Sequence, residues 1–116
     1  MTTADDCLFC RMAAGALTVD KLVEDEDVIA IRDINPRAPT HLLIIPRRHI
    51  ASARELTGEH GPLLGRMFQV ASELMTDLQH SERGYRLTFN VGEDGGQTVY
   101  HLHLHVLAGR PMGPEG

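Results

Sequence analysis

The sequence predicts an α+β fold in which a five-stranded antiparallel sheet is combined with one long and one short helix. Short β-type segments are joined by tight turns, which favours antiparallel pairing, and one long segment has apolar residues at helical spacing. The chain has 116 residues, which is enough for one domain and too short for two independent cores. We therefore expect a single domain over residues 1–116.

The first half of the chain predicts a short helix and three strands. Residues 7–14 form the helix, which ends at Gly15. Residues 22–24 and 28–31 form a hairpin around the acidic turn at 25–27. Next come a loop with two prolines at 33–40 and an apolar strand at 41–45, which Pro46 ends.

The second half predicts the long helix and two more strands. Thr57 is the expected N-cap, and Gly84 ends the helical region. Residues 85–90 and 99–107 are the strands, with a glycine-rich loop between them. One stripe of the helix should pack on the core: Leu63, Met67, Val70, Ala71, Leu74 and Leu78.

Composition excludes several classes of function. Sixteen acidic against eleven basic residues give a net charge of −5, so general nucleic-acid binding is not expected. No apolar run approaches the length of a membrane span, and the N-terminus does not resemble a signal peptide, so we expect a cytoplasmic protein. In a reducing compartment, Cys7 and Cys10 favour metal binding or redox chemistry over a structural disulfide.

Three histidines alternate along the last predicted strand. His101, His103 and His105 should share one face, while Leu102, Leu104 and Val106 face the core. A single catalytic metal is disfavoured, because the outer two Cα atoms would lie roughly 13 Å apart in a strand and zinc–nitrogen bonds are only ~2.0–2.1 Å long. The alternative is that one imidazole attacks phosphorus, and the central His103 suits that role.

A glycine-rich loop, residues 92–98, directly precedes the histidines. Gly95 and Gly96 allow a close approach of the backbone to a ligand, and N–H groups in such turns bind anions. Asn90 and Thr98 add an amide and a hydroxyl. The loop is therefore predicted to bind phosphate.

Together these segments resemble the histidine triad family of nucleotide hydrolases and transferases, and most closely its Hint branch of purine nucleoside phosphoramidases. The resemblance is carried by the motif at 101–105, the stretch Gly95-Gly96-Gln97-Thr98-Val99-Tyr100, the segment at 33–41, the segment at 45–50 and the short tail. It covers nearly the whole chain. The third histidine stands where the transferase and phosphorylase branches carry Gln.

The resemblance implies a histidine-triad fold, a homodimer with one continuous sheet, and a nucleotidyl intermediate on His103. It implies that a purine nucleotide of the AMP or GMP type is the ligand, with Asp33 at the ribose and Ile31 and Ile34 at the base. The residues implied to hold the α-phosphate are Asn90, Gly96, Gln97, Thr98 and His105. Thr98 departs from the usual Ser, although both hydroxyls could protonate a leaving nitrogen.

The same resemblance implies that the two cysteines bind a metal ion. Cys7 and Cys10 lie at i and i+3, so both can reach one ion from a helix. Bacterial relatives with a Cys₂His₂ zinc imply that His49 and His101 complete a structural site, and no metal is expected in catalysis. The alternative is two free thiols.

Two alternatives to phosphoramidase activity stay open, namely hydrolysis of dinucleoside polyphosphates and a nucleotide-binding or scaffold role with little turnover. Among the remaining histidines, His41 either lines the pocket or only opens its strand. His60 and His80 are expected at the surface.

Overall fold

A computed structural model describes residues 6–115. Helix α1 spans Leu8–Ala13 and helix α2 spans Gly61–Asp77, with two 3₁₀ helices, Ala53–Glu55 and Gly58–His60, just before α2. The strands are β1 Lys21–Glu24, β2 Val28–Arg32, β3 Thr40–Pro46, β4 Tyr85–Thr88 and β5 Leu104–Ala108.

The five strands form one antiparallel sheet in the order β1-β2-β3-β5-β4, which confirms the predicted α+β architecture. Strand β3 is central, and its residues are apolar almost throughout because both of its faces are covered. His105 of β5 stands opposite Leu43 of β3 and Thr88 of β4. This register brings the β2–β3 loop and the histidine segment to the same end of the sheet.

The two faces of the sheet have separate cores. One face packs against α2, whose buried residues are Met67, Val70, Ala71, Leu74 and Met75, so the predicted helical stripe is confirmed for its central residues. The other face packs against α1 and contains Cys7, Phe9, Ala13, Ile29, Ile31, Leu43 and Ile45. Leu102, Leu104 and Val106 belong to the α2 face, as their alternation predicted.

Asp25 ties the first hairpin to α2. Its Oδ1 accepts from the N–H groups of Asp27 and Val28, which closes the β1–β2 turn. Its Oδ2 accepts from both Nε and Nη2 of Arg66, at 3.0 and 2.7 Å. These contacts hold the β1–β2 turn against α2. Burial would raise the pKa of Asp25, but the N–H donors and the guanidinium of Arg66 outweigh it, so the pKa is lowered.

The structure corrects several predicted boundaries. The last strand begins at Leu104, not at 99, because residues 99–103 leave the ladder and curve toward α1. Thr57 caps the 3₁₀ helix that precedes α2, not α2 itself. His60 was predicted at the surface, but it is buried, and its Nδ1 accepts from the N–H of Thr57. Within residues 6–115, no helix has the length and apolar character needed to cross a membrane.

Candidate active site and metal site

His103 lies between Phe9 and His105, with ring centroids 5.1 and 4.9 Å away. Only 9% of its surface is exposed, and it lines a cavity of about 450 Å³. Its Nδ1–H donates to the backbone carbonyl of His101 at 2.7 Å. This hydrogen bond fixes the neutral tautomer, so the lone pair is on Nε2, the nitrogen a nucleophile would use.

Burial lowers the pKa of His103, although the carbonyl of His101 and the charge of Asp33 oppose the shift. The imidazole is therefore neutral at pH 7 and keeps the lone pair that attack on phosphorus requires.

His105 is next to His103 and contacts His41. The Nδ1 of His105 is 2.9 Å from the Nε2 of His41, and Asp33 Oδ2 is 3.5 Å from the same His41 nitrogen. Burial lowers the pKa of His105 to about 4, and the neighbouring histidines add to this shift. His41 is 5% exposed and lines the cavity, which was one of two alternatives from the sequence. No periodicity in the sequence indicated its contact with His105.

The glycine-rich loop folds back on itself beside His103. A side chain at Gly95 would place its Cβ 2.2 Å from the carbonyl oxygen of Val91, so only glycine fits. Gly96 has φ +83°, in the region that favours glycine. The N–H groups of Gly96 and Gln97 close the turn on the carbonyls of Glu93 and Gly92.

These turn bonds change which donors can reach the cavity. Asn90 uses one amide N–H on the carbonyl of Gly95 and has a second N–H available. Thr98 is exposed at the cavity wall, and among the described residues no acceptor takes its N–H or its hydroxyl proton. The anion-binding donors of the loop are therefore concentrated at Asn90 and Thr98, with the backbone of Gly96 beside them.

Of the residues predicted to contact the nucleotide, Gln97 and Ile31 are covered by protein, whereas Ile34 is exposed. Gln97 points inward, where its amide donates to the carbonyls of Ala51 and Val99 and its oxygen accepts from Gly92, so it supports the loop and does not line the cavity. Ile31 is 3% exposed in the α1-side core and is covered by protein. Ile34 is 89% exposed and is not among the residues that line the cavity.

Two arginines at the cavity were missed by sequence reasoning. Arg37 and Arg86 line it together with Asp33, Asn35 and Glu115. Arg86 donates to the carbonyl of Gly113 at 2.5 Å, which holds the tail at the cavity mouth. The signal in the sequence was weak, because the two residues lie almost fifty positions apart, Arg37 in the β2–β3 loop and Arg86 in β4.

Behind His103, the structure brings together the four residues predicted as metal ligands. His101 Nδ1 is 3.2 Å from Cys7 Sγ, 3.4 Å from Cys10 Sγ and 3.2 Å from His49 Nδ1. Cys10 Sγ is 3.2 Å from His49 Nδ1, and all four ligand atoms lie within 4.8 Å of one another. Both cysteines are free thiols.

The donor set fits zinc. Tetrahedral zinc with ordinary Zn–N and Zn–S bonds separates its ligand atoms by about 3.3–3.8 Å, close to the spacing found here. His101 Nε2–H donates to the carbonyl of Pro46 at 2.7 Å, which leaves Nδ1 free to ligate and provides the outer hydrogen bond typical of a ligating histidine. Without a metal, burial and the neighbouring Cys7 raise the pKa of Cys10 to about 11, so an ion is needed to hold it as a thiolate.

Asp33, His41 and His105 also bring ligand atoms within 4.8 Å of one another. Here the two histidine nitrogens are 2.9 Å apart, a hydrogen-bond distance shorter than the ~3.4 Å separation of two nitrogens on one zinc. We therefore treat this group as a hydrogen-bond network.

Comparison with known proteins finds one matching family model and three similar proteins. The model of the family described as "Scavenger mRNA decapping enzyme C-term binding" matches residues 6–114. The purine nucleoside phosphoramidase of Escherichia coli strain K12 is 42% identical over 111 residues, which cover 96% of this chain and 93% of that protein. The solved structure of a HIT family hydrolase from Legionella pneumophila Philadelphia 1 has a TM-score of 0.92 and 48% identity, covering 95% of this chain and 99% of that one. A zinc-bound histidine triad family protein from Mycobacterium smegmatis has a TM-score of 0.78 and 28% identity, covering 93% and 78%.

Proposed function

Because this chain belongs to the histidine triad family of hydrolases, we propose that it cleaves the P–N bond of purine nucleoside 5′-phosphoramidates. The observation that carries the proposal is the hydrogen bond from His103 Nδ1 to the carbonyl of His101, which leaves Nε2 as a nucleophile at the cavity. The Escherichia coli relative, a purine nucleoside phosphoramidase by name, supports the choice of bond and base.

In the proposed reaction, His103 Nε2 attacks phosphorus and the P–N bond breaks. The electron pair of that bond leaves with the amine, which takes a proton from the Thr98 hydroxyl at the cavity wall. Water then hydrolyses the nucleotidyl-histidine, releases the nucleoside monophosphate and returns a proton to Thr98. Asn90 and His105 donate to the phosphate oxygens as negative charge builds.

Asp33 is proposed to accept from the ribose hydroxyls. Its Oδ1 already accepts from the N–H of Asn35, which orients the carboxylate within the β2–β3 loop, and Oδ2 is close to His41. The exposed Ile34 then offers an apolar surface for the purine, whereas Ile31 is buried in the α1-side core. The cost of exposing so large an apolar side chain would be recovered when a base covers it.

Turnover of adenosine 5′-phosphoramidate by wild-type and His103→Ala proteins tests the chemistry. We expect the variant to lose a factor on the order of 10⁴ or more in kcat and to form no acid-labile nucleotidyl adduct. His80→Ala is the matched control, because His80 lies outside the active-site cavity and binds Thr40. Hydrolysis that survives in His103→Ala would refute the mechanism.

Hydrolysis of dinucleoside polyphosphates is a second candidate, favoured by the guanidinium groups of Arg37 and Arg86 at the cavity. Cations there could bind phosphates beyond the first. The kcat/KM ratio for diadenosine tetraphosphate against adenosine 5′-phosphoramidate separates the two. A ratio above one would favour the polyphosphate. Adduct formation without turnover of either substrate would favour a binding role.

We propose that Cys7, Cys10, His49 and His101 hold one structural zinc ion, which joins α1 to the segment that carries His103. The donor geometry supports this, and the zinc-bound relative adds to it. Elemental analysis should give one zinc per chain, and Cys7→Ser should lose it and lower the melting temperature. A metal-free native protein would refute the site.

We also propose a cytoplasmic location, because cysteines without a disulfide are typical of a reducing compartment. Cell fractionation tests this location.

We also propose a homodimer formed along β4. In the described chain this strand is an edge, paired only with β5, and Leu87 on it is 36% exposed. Pairing with β4 of a second copy would join the sheets and cover the edge. Leu87→Glu should sediment as a monomer, whereas Leu22→Glu, on the opposite edge strand β1, should remain a dimer. A monomeric wild-type protein would refute the proposal.

A further inference from the structure

We propose that His41 is a positioning residue that holds His105 in a single neutral form, with its one proton on Nε2. The backbone amide of Arg37 sets this form through His41. The proposal deepens the proposed function and rests on it, since it assigns His105 a fixed role as a hydrogen-bond donor that does not release its proton during turnover.

The first step is the tautomer of His41. The N–H of Arg37 donates to His41 Nδ1 at 3.1 Å, and a backbone amide can only donate. His41 Nδ1 must therefore carry a lone pair. The neutral ring then has its proton on Nε2, and protonation of Nδ1 would set two N–H groups against each other in a site that is 5% exposed.

The amide of Arg37 is itself held in place. The guanidinium of Arg110 donates to the carbonyl of Arg37 at 2.7 Å. At the other end of the loop, the N–H of Asp33 donates to the carbonyl of His41 at 2.9 Å. The loop therefore keeps its donor aimed at His41 without help from a ligand.

The second step passes the constraint to His105. His41 Nε2–H faces His105 Nδ1 at 2.9 Å, so that nitrogen must accept. Asp33 Oδ2, 3.5 Å from His41 Nε2, is a competing acceptor, but it leaves no lone pair on His41 for a proton on His105 Nδ1. In either arrangement, His105 carries its proton on Nε2.

The third step concerns the charged form of His105. An imidazolium would need a proton on Nδ1, and this proton would point at the N–H of His41. The groups that face His105 are His103 and Thr88 on its own side of the sheet, His41 on β3, and Asp33 and Arg37 of the β2–β3 loop. Of these groups, only the carboxylate of Asp33 would favour the imidazolium form of His105. Its Oδ2 lies 3.5 Å from His41 Nε2.

The consequence is a division of roles between neighbouring groups. His105 offers one N–H to a phosphate oxygen in both ground and transition states, and keeps it. The proton that the leaving nitrogen needs must then come from a different group, and Thr98 is the exposed hydroxyl at the same cavity.

Nitrogen-15 NMR of the histidine side chains in the zinc-loaded, substrate-free protein tests the proposal. Two-bond proton–nitrogen correlations distinguish protonated from bare ring nitrogens, and the signals of His105 are assigned from their loss in His105→Gln. We expect a protonated Nε2 and a bare Nδ1 on His105, unchanged between pH 8 and 5.5. A proton on Nδ1, or titration near the ordinary imidazole pKa, would overturn the proposal. No substrate is present, so this result is independent of whether the proposed phosphoramidase activity is correct.

Two variants of His41 give a second readout. His41→Gln can keep an N–H toward His105, so we expect the His105 spectrum to be preserved. His41→Leu removes it, so the proton of His105 should distribute between Nδ1 and Nε2, and kcat should fall on the order of 10-fold with a smaller change in KM. His80→Gln is the control for disturbance of β3, because His80 binds Thr40, the residue next to His41. An unchanged His105 spectrum in His41→Leu would overturn the proposal, and the wild-type spectrum decides it if that variant does not fold.

Discussion

Replacement of Gly95 by alanine tests whether the shape of the glycine-rich loop positions the phosphate donors. The new Cβ would lie 2.2 Å from the carbonyl oxygen of Val91 and 2.9 Å from its nitrogen. Because carbon and oxygen ordinarily stay about 3.3 Å apart, the two segments must separate by about 1 Å. Both neighbours are backbone atoms, so no side-chain rotation can relieve the contact.

The displacement should affect stability and activity by different amounts. Overpacking of this kind costs about 1–3 kcal/mol in the free energy of unfolding. The carbonyl of Gly95 also accepts from Asn90, so the amide and the adjoining Thr98 should move with the loop. A misplacement of about 1 Å can lower a rate on the order of 100-fold, and we expect that loss in kcat/KM.

Urea unfolding and turnover of adenosine 5′-phosphoramidate measure the two effects. Gly58→Ala is the matched control, because no atom lies within 4 Å of its added Cβ, and both measurements should stay close to wild type. If Gly95→Ala keeps wild-type stability and its kcat/KM changes less than 3-fold, the loop does not position the donors. Asn90→Ala provides the activity test if Gly95→Ala does not fold.

Three further predictions follow from named contacts. Arg66→Ala should lower the free energy of unfolding at pH 7; since Asp25 has a lowered pKa in the folded state, urea titrations should show this difference shrinking below the unfolded-state pKa of ~3.9 and disappearing only below the lowered folded-state pKa. Asp33→Asn should raise KM about 10-fold for a ribonucleoside phosphoramidate and leave KM for the 2′,3′-dideoxy analogue unchanged; equal losses on both would exclude a ribose contact. Because burial lowers the pKa of His103, the acid-side decline of kcat/KM should have its midpoint below pH 6.5, the ordinary imidazole value; a decline centred at or above pH 6.5 would contradict this.

Local patterns predicted the elements and their inward faces well. The helical stripe of α2 and the alternation of Leu102, Leu104 and Val106 identified the core face, because the periodicity of side chains follows from the backbone alone. Gly15 was correctly expected to end α1, where it has φ +81°. Boundaries were less accurate, because the start of β5 depends on where the chain must leave the ladder to reach α1.

The site was predicted in outline, and its details required the fold. The motif spacing predicted that His103 and Thr98 lie close together, and both line one cavity in the structure. The ligand atoms of the four proposed zinc ligands also lie close together. The inward turn of Gln97 could not be foreseen, because its amide binds the carbonyl of Ala51, 46 positions away. A glutamine beside a phosphate loop and one supporting the loop from behind have the same local sequence.

The three histidines show this division most clearly. The sequence by itself determined that they alternate with core leucines and that the central one suits the nucleophile, because both conclusions depend on the near-neutral chemistry of imidazole and on spacing within a few residues. Only the tertiary structure decided how their ring nitrogens are used: His101 faces Cys7 from 94 positions away, and His105 faces His41 from 64. A neutral imidazole has one donor and one acceptor, and which nitrogen takes which role is set by partners that only folding brings within 3.5 Å.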